Sequence, residues 1–205
     1  MTAIQARTNA EADEYMYLVT AECYDDNGSA IFSTTTSAEL VGDNRVVTYD
    51  IECLDGSMEW HFTVTVDPQP ERTDGTPLQF GYGSEPSRLI DAGQWYLLFA
   101  RWLALARDVQ EQQEPDGRSF EPLELEEMVG GFDHAQASLA EVLKFIPAGQ
   151  DRVPESAVWT DQGRWSYEEE PGQFTRDQLE KLRGQMITVR DFYVDQYRRM
   201  DEELP

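Results

Sequence analysis

The chain has 205 residues, of which 40 are acidic and 16 are basic, giving a formal net charge of −24. Apolar residues make up 40% and aromatic residues 11%, so the chain can bury a core and differs from a disordered acidic tail. Its charge repels the nucleic-acid backbone and anionic lipid, and no segment approaches the roughly 18–20 apolar residues of a membrane span, so we expect neither direct nucleic-acid binding nor membrane binding.

The first third of the chain has the pattern of an antiparallel sheet. Residues 1–14 are expected to be a flexible N-terminal segment, and residues 15–66 a four-stranded antiparallel meander built of two hairpins. The strands are predicted at 15–25, 30–41, 45–54 and 57–66. Asn27-Gly28 and Asp55-Gly56 are the turn signals, because both central residues of a type I′ turn need a positive φ.

The second hairpin also predicts its own register. A two-residue turn at Asp55-Gly56 makes every second cross-strand pair apolar and the pairs between them polar, whereas a slip of one residue would mix the two faces. The pairs run Cys53–Met58, Glu52–Glu59, Ile51–Trp60, Asp50–His61, Tyr49–Phe62, Thr48–Thr63 and Val47–Val64. The apolar pairs are expected to face the core, and the Asp50–His61 pair to be a minor stabiliser on the solvated face.

Two cysteines, Cys23 and Cys53, fall in strand-like runs and are interpreted as small core residues. The first and third strands of a simple meander are not neighbours, which argues against a bridge between these cysteines. The sequence has no CxxC pattern and its two histidines lack the spacing of metal ligands, so we expect no metal and no cofactor.

A long loop and a helical part complete the chain. Residues 67–86 are rich in Pro and Gly and are predicted to be a long loop. Ser87 is placed to cap a helix that runs to about residue 113. Because this helix is apolar on nearly all sides from Trp95 to Ala106, we expect it to be the buried central helix on which the sheet packs.

Two further helices are predicted beyond it. One covers residues 123–146 with a break at Gly130-Gly131, and the last covers residues 176–200. A small aromatic hairpin is predicted near residues 157–168 between them. With residues 87–205 as its helical part, the chain is expected to be one compact α+β domain.

Two sets of residues are candidates for a protein interface. Trp159, Trp165 and Tyr167 lie in a polar stretch, and Trp and Tyr are enriched at interface hot spots; the alternative is that their hairpin closes over the core. The second set is a heptad-spaced seam in the last helix, for which packing within the chain is favoured over a coiled-coil oligomer. It consists of Leu179, Leu182, Met186, Val189 and Tyr193.

The acidic charge has two physical explanations. Only two of the basic residues are lysines, and the acids are spread along the chain, which is typical of proteins from organisms that live in high salt. Alternatively, the carboxylates are presented to a basic partner, as in a nucleic-acid mimic. The sequence leaves both explanations open.

The leading hypothesis is a non-enzymatic assembly or interaction protein, such as a virion or tail-assembly subunit from a halophilic source. A sheet with long amphipathic helices and an aromatic-rich extension suits a subunit that docks on others, and the sequence carries no catalytic or cofactor motif. The expected partner is a protein, either a basic one or another copy of this chain. One alternative is an acidic inhibitor, such as a nucleic-acid mimic or toxin-immunity protein, and another is an enzyme with an unrecognised site. The N-terminus lacks the apolar stretch of a signal peptide, so a cytoplasmic or intravirion location is expected.

Overall fold

The structure is a computed structural model that describes residues 2–21, 32–54, 56, 58–66, 78–113 and 120–203. It contains a sheet and five α-helices, which confirms the α+β class. The chain divides into two compact units, Met1–Ile90 and Asp91–Pro205, where one compact domain was expected. The division falls close to the predicted change from sheet to helices.

The described residues of the first unit form a four-stranded mixed sheet and one helix. Its elements are β1 (Thr2–Ala6), α1 (Asn9–Val19), β2 (Phe32–Val41), β3 (Asn44–Cys53) and β4 (Glu59–Val66). The strand order is β1-β4-β3-β2, with β2, β3 and β4 antiparallel and β1 parallel to β4. The prediction of a purely antiparallel meander is therefore wrong, because the fourth strand comes from the first residues of the chain and joins the sheet at β4.

Helix α1 replaces the predicted first strand. Two hydrogen bonds cap its N-terminus: Thr8 Oγ1 accepts from the Glu11 N–H at 3.0 Å, and the Glu11 carboxylate accepts from the Arg7 N–H at 2.6 Å. Ala12 and Met16 are buried against the sheet. The expectation of a flexible segment over 1–14 and a strand over 15–25 is thus wrong for the described residues; residues 22–31, with the predicted first turn, lie outside them.

The predicted register of the second hairpin is confirmed. Strands β3 and β4 pair in that register from Glu52–Glu59 to Val47–Val64, and the Cys53 N–H donates to Met58 O at 2.9 Å. The turn differs, because the Gly56 N–H donates to Cys53 O at 2.8 Å; its predicted partner in the turn, Asp55, lies outside the described residues. The core-facing side chains include Val47, Tyr49, Ile51 and Val64, and α1 is the helix that covers them within this unit.

Cys53 is buried, as expected of a small core residue, and it is disulfide-bonded, which the argument against a bridge did not predict. The argument against a bridge assumed a strand at 15–25 two places away in a meander, and that strand does not form over its described residues. Cys23, the other cysteine of the sequence, lies outside the described residues.

The second unit is helical. Its α-helices are α2 (Ala92–Gln113), α3 (Pro122–Lys144), α4 (Asp161–Glu169) and α5 (Arg176–Glu203), and 3₁₀ turns lie at Glu155–Ala157 and Pro171–Phe174. Helix α2 starts later than predicted, because Ser87 Oγ accepts from the Leu89 and Ile90 N–H groups and so closes a separate turn. Trp95 and Leu98 of α2 are fully buried. No described helix has the length and hydropathy needed to cross a membrane.

Helix α3 packs on α2 and on α5. The predicted break at Gly130-Gly131 does not occur. The helix crossing with α2 explains Gly131 instead, because a Cβ added there would lie 3.0 Å from the Ala106 Cβ and 3.2 Å from Trp102 O. Glycine is therefore present to let α2 approach, while the tertiary contact offsets its low helix propensity. On the other side, Asp133 of α3 pairs with Arg190 of α5 at 3.0 Å.

Candidate functional site

The prediction of an aromatic hairpin near 157–168 is wrong, because these residues belong to a 3₁₀ turn and to helix α4. Thr160 caps α4, and its Oγ1 accepts from the Gly163 N–H at 3.0 Å. The Asp161-Gln162-Gly163 stretch, which has the composition of a turn, is thereby the first turn of a helix.

A buried carboxylate ties the start of α4 to the start of α2. Asp91 is fully buried, and its Oδ1 accepts from the Gln94 N–H at 2.8 Å, which caps α2. Its Oδ2 accepts from the Thr160 N–H at 2.7 Å, the Thr160 hydroxyl at 2.7 Å and the Trp159 N–H at 3.0 Å. Because charge-assisted bonds of this kind are stronger than neutral ones, α4 is held in a fixed position on the second unit.

Two glycines make this junction possible. A Cβ added to Gly163 would overlap the Asp91 carboxylate, and one added to Gly93 would overlap the Gly163 carbonyl. Both positions therefore exclude any side chain, so that α2 and α4 approach each other backbone to backbone.

A groove of about 530 Å³ lies beside α4. Its lining residues are Glu155, Val158, Arg164, Tyr167, Glu168 and Pro171. One wall is fixed, because the Tyr167 hydroxyl donates to Val153 O at 3.0 Å and the Tyr167 ring packs on the buried Phe174 ring at 4.8 Å between centroids. The groove thus combines an aromatic wall with carboxylates.

Two tryptophans next to the groove are open to solvent. Trp165 on α4 is 61% exposed, and Trp159 just before α4 is 41% exposed while its ring lies 6.1 Å from that of Phe145. We call the side chains of Trp159, Arg164, Trp165, Tyr167 and Glu168, together with the groove, the α4 surface. The sequence prediction thus selected three of its five named residues, although it assigned them to a different secondary structure.

The α4 surface is strongly acidic. Residues 155–171 contain five acidic residues and one basic residue, Arg164, and a second cation, the Arg152 guanidinium, donates to Pro171 O at 3.0 Å. The Arg164 guanidinium donates to Trp159 O at 2.5 Å and lies 3.9 Å from the Asp161 carboxylate. Burial, and then the negative charge of Glu170, raise the pKa of the neighbouring Tyr96 phenol. The excess of acidic over basic residues in this segment favours a cationic ligand.

The heptad-spaced seam of α5 is used in packing within the second unit. Leu179, Met186 and Tyr193 are buried, and Leu182 and Val189 are half-buried. The Tyr193 ring is stacked on the Phe132 ring of α3 at 6.0 Å. These five candidates belong to the core side of the helix, and they are not brought together with the α4 aromatics.

The remaining sites with catalytic residue types have structural partners. Asp50 and His61 are hydrogen-bonded across β3 and β4 on the exposed sheet face. The His134 ring stacks on Trp102 at 4.1 Å, and its Nδ1 lies 2.8 Å from Gly130 O. Among the residues that the structure describes, no three His, Cys, Asp or Glu side chains are grouped as metal ligands.

Sequence reasoning missed Asp91, which it placed inside a helix, and did not select Val158 or Arg164. A signal for Asp91 exists: the reciprocal bonds between Asp91 and Gln94, at 2.8 and 3.2 Å, form a capping box with the spacing D-x-x-Q. Comparison with protein-family models, curated proteins and solved structures finds no match for this chain. Its function has to be inferred from its own residues.

Proposed function

We propose that this chain is a non-enzymatic interaction protein that binds a basic segment of a partner protein at the α4 surface. The observation that carries the proposal is Trp165, a 61% exposed indole on a helix whose start is fixed by a buried carboxylate. Tryptophan is enriched at interface hot spots, and binding groups on rigid elements lose little entropy when a partner binds.

The chemistry of the groove favours an arginine or lysine side chain as the anchor. Val158, Tyr167 and Pro171 offer an apolar surface for its aliphatic stem, and the carboxylates of Glu155 and Glu168 offer counter-charges for its head group. A cation can also lie over the exposed Trp165 ring, which adds an attraction of about 0.5–1 kcal/mol at an exposed site.

The two cations at the surface do not oppose this ligand strongly, because both guanidinium groups already have partners, and that of Arg152 donates to Pro171 O at 3.0 Å. The Arg164 guanidinium is directed at the Trp159 carbonyl and lies near the Asp161 carboxylate, so part of its charge is compensated before a partner arrives. Its neighbours supply the excess of negative charge that attracts the basic segment and speeds the encounter.

The concrete form that we propose is a subunit of a virion or tail assembly from a halophilic source, docking on a neighbouring subunit. The disulfide at Cys53 favours a location in a virus particle rather than in a reducing cytoplasm, because disulfides persist on virion surfaces and in other oxidising environments. Exposed aromatics beside acidic side chains suit a contact that must form in concentrated salt, since apolar burial is not screened.

A peptide titration tests the proposal. The probe is a fluorescently labelled, acetylated and amidated peptide of arginines, added to the full chain at physiological salt while anisotropy is recorded. We expect Glu168→Gln and Trp165→Ala each to weaken binding by about threefold, the equivalent of about 0.7 kcal/mol. The matched controls are Glu126→Gln, an exposed acid on α3, and Phe192→Ala, an exposed aromatic on α5.

The controls decide the outcome, because a chain of net charge −24 attracts any polycation. If Glu126→Gln and Phe192→Ala weaken peptide binding as much as Glu168→Gln and Trp165→Ala do, the affinity depends on net charge alone and the α4 surface is not the binding site. If only the α4 variants weaken it, the proposal stands.

A salt series separates the two explanations of the charge. Circular dichroism from about 0.1 to 3 M KCl covers Debye lengths from about 10 Å to below 3 Å. A chain that is folded at the lower end has carboxylates available to a partner, which supports binding at the α4 surface and counts against the halophilic source. Folding only in molar salt makes the acidity an adaptation to the environment, which supports the halophilic source, counts against carboxylates that attract the partner, and removes the main support for an acidic inhibitor.

A further inference from the structure

Within the described residues, strand β2 forms an edge of the sheet in the first unit. It stands at the end of the strand order, and among the described residues it pairs with β3 alone. Ten residues long, it is exposed from Ser33 through Val41, and only Phe32 is half-buried. An edge of this length is long for a natural protein, which usually shortens or covers such strands.

The backbone of β2 has a defined set of free hydrogen-bonding groups. The Cys53 N–H bonds to β4, so the odd-numbered residues of β3 face β4 and its even-numbered residues face β2. Pairs such as Thr35–Asp50 and Ser37–Thr48 are therefore the hydrogen-bonded pairs of β2 with β3. It follows that Thr34, Thr36, Ala38 and Leu40 direct their N–H and C=O groups at the free edge.

The hairpin that joins β2 to β3 agrees with this assignment. Val41 pairs with Asn44 around the two residues Gly42-Asp43, and Gly42 has φ +65° as the first residue of a type II′ turn requires. The pair that flanks a two-residue turn is hydrogen-bonded, so Val41 faces β3 and Leu40 faces the free edge.

The charge pattern of the edge differs from that of the rest of the chain. Strand β2 has the sequence FSTTTSAELV, in which Glu39 is the one charged residue, whereas the chain as a whole carries a net charge of −24. It contains neither lysine nor proline, which are the residues that commonly block edge pairing. A second copy of this acidic chain would therefore meet little like charge on the strand itself.

We propose that β2 pairs antiparallel with β2 of a second copy of this chain, around a two-fold axis at Thr36, to form a continuous eight-stranded sheet. This register joins even-numbered residues to even-numbered residues, so the edge-facing backbone groups of Thr34, Thr36 and Ala38 in both copies are satisfied. It also places Leu40, which is 79% exposed, opposite Phe32 of the second copy. Phe32 already packs against the core cluster of its own unit, so Leu40 would extend that cluster.

The same register keeps the charges of the two edges apart. Glu39 lies opposite Ser33 of the second copy, six residues from that copy's Glu39, a separation of roughly 20 Å at 3.4 Å per residue. This is more than twice the Debye length of about 8 Å at physiological salt. An edge contact buries a narrow strip, so we expect a reversible dimer with the affinity of a small interface.

The proposal concerns a different surface, in the other unit, from the α4 surface, and it is tested separately. Sedimentation velocity of the full chain over about 5–500 µM covers the range in which small interfaces associate. Thr36→Glu sets two carboxylates opposite each other and should raise the dissociation constant by about tenfold or more. Thr188→Glu, at an exposed position of α5, is the control for added charge.

A proline variant keeps the proposal testable if the charged one disturbs the strand. Thr36→Pro removes an N–H that faces the free edge and leaves the hydrogen bonds between β2 and β3 in place. Amide exchange by NMR adds a readout at residue level: the Thr34, Thr36 and Ala38 amides should become protected as the concentration rises. The Thr35 and Ser37 amides, which bond to β3, should be protected throughout.

Each outcome is decisive. A concentration-dependent dimer that Thr36→Glu and Thr36→Pro weaken, with protection at alternate residues, supports the edge pairing. A chain that stays monomeric over the whole range contradicts it, and so does a dimer that Thr188→Glu weakens as much. Arginine-peptide binding that Thr36→Glu leaves unchanged keeps this result independent of the α4 surface.

Discussion

Replacing Asp91 by alanine should release the start of α4 from the second unit. The fully buried carboxylate accepts four hydrogen bonds, from Gln94, Trp159 and two groups of Thr160. Loss of the α2 cap costs about 1 kcal/mol. The three remaining donors lose a charged acceptor, at about 1 kcal/mol each where water cannot replace it. We therefore expect the free energy of unfolding of the second unit to fall by about 4 kcal/mol.

Urea unfolding followed by tryptophan fluorescence measures this loss, and hydrogen exchange assigns it to the region. The amides of Trp159 and Thr160 should exchange much faster in Asp91→Ala, whereas Asp91→Asn, which keeps one acceptor oxygen, should lose about half as much stability. Asp108→Ala, at an exposed position of α2, is the control. A loss below about 1 kcal/mol in Asp91→Ala would show that the carboxylate does not organise the junction.

Further predictions concern packing, pH and redox state. Gly163→Ala should destabilise the second unit by more than about 2 kcal/mol in urea unfolding, because its Cβ overlaps the Asp91 carboxylate, whereas Gly184→Ala, in open space on α5, should stabilise it by about 1 kcal/mol. Burial, and then the charge and hydrogen bond of the neighbouring Asp13, raise the pKa of Tyr49 from 10.0 to about 12, so the native state keeps a proton that the unfolded chain loses. The stability that this proton contributes is complete below pH 10 and is lost as the pH rises to 12. In Tyr49→Phe, the free energy of unfolding should therefore fall less steeply between pH 10 and 12. Alkylation of the denatured chain should label Cys53 after reduction and leave it unlabelled before, and labelling without reductant would contradict the bond.

The β3–β4 hairpin could be predicted because its information is local. Apolar and polar residues alternate with period two on both strands, and one register alone separates the two faces, as the Tyr49–Phe62 and Asp50–His61 pairs show. The class of the fold follows from the same pattern and from the apolar helices after it.

The N-terminal elements were missed because a strong local pattern pointed elsewhere. The aromatic and aliphatic run over 15–19 favours a strand, yet it continues a helix whose start is fixed by Thr8 and Glu11. The spacing T-x-x-E was a signal for that start. Strand β1 pairs in parallel with a strand about 60 residues away, and such a contact leaves no mark in the local sequence.

The sequence predicted the aromatic residues of the candidate site but not the helix that carries them. The exposure of Trp165 could be expected from the sequence, because this tryptophan lies in a stretch of otherwise polar residues. The helix that carries it depends on Asp91, nearly 70 residues earlier in the chain, and on Gly93 and Gly163 at the crossing. Tertiary contacts of this kind override the turn propensity of the Asp161–Gly163 stretch.

Photo-crosslinking tests most directly whether the α4 surface is the docking site. An arginine peptide that carries a benzophenone group is irradiated with the full chain at physiological salt, and the linked residues are found by mass spectrometry. The proposed function predicts crosslinks concentrated at Val158, Tyr167 and Pro171, which line the groove, and their loss in Glu168→Gln. Crosslinks spread over the exposed carboxylates of both units, unchanged in that variant, would contradict it.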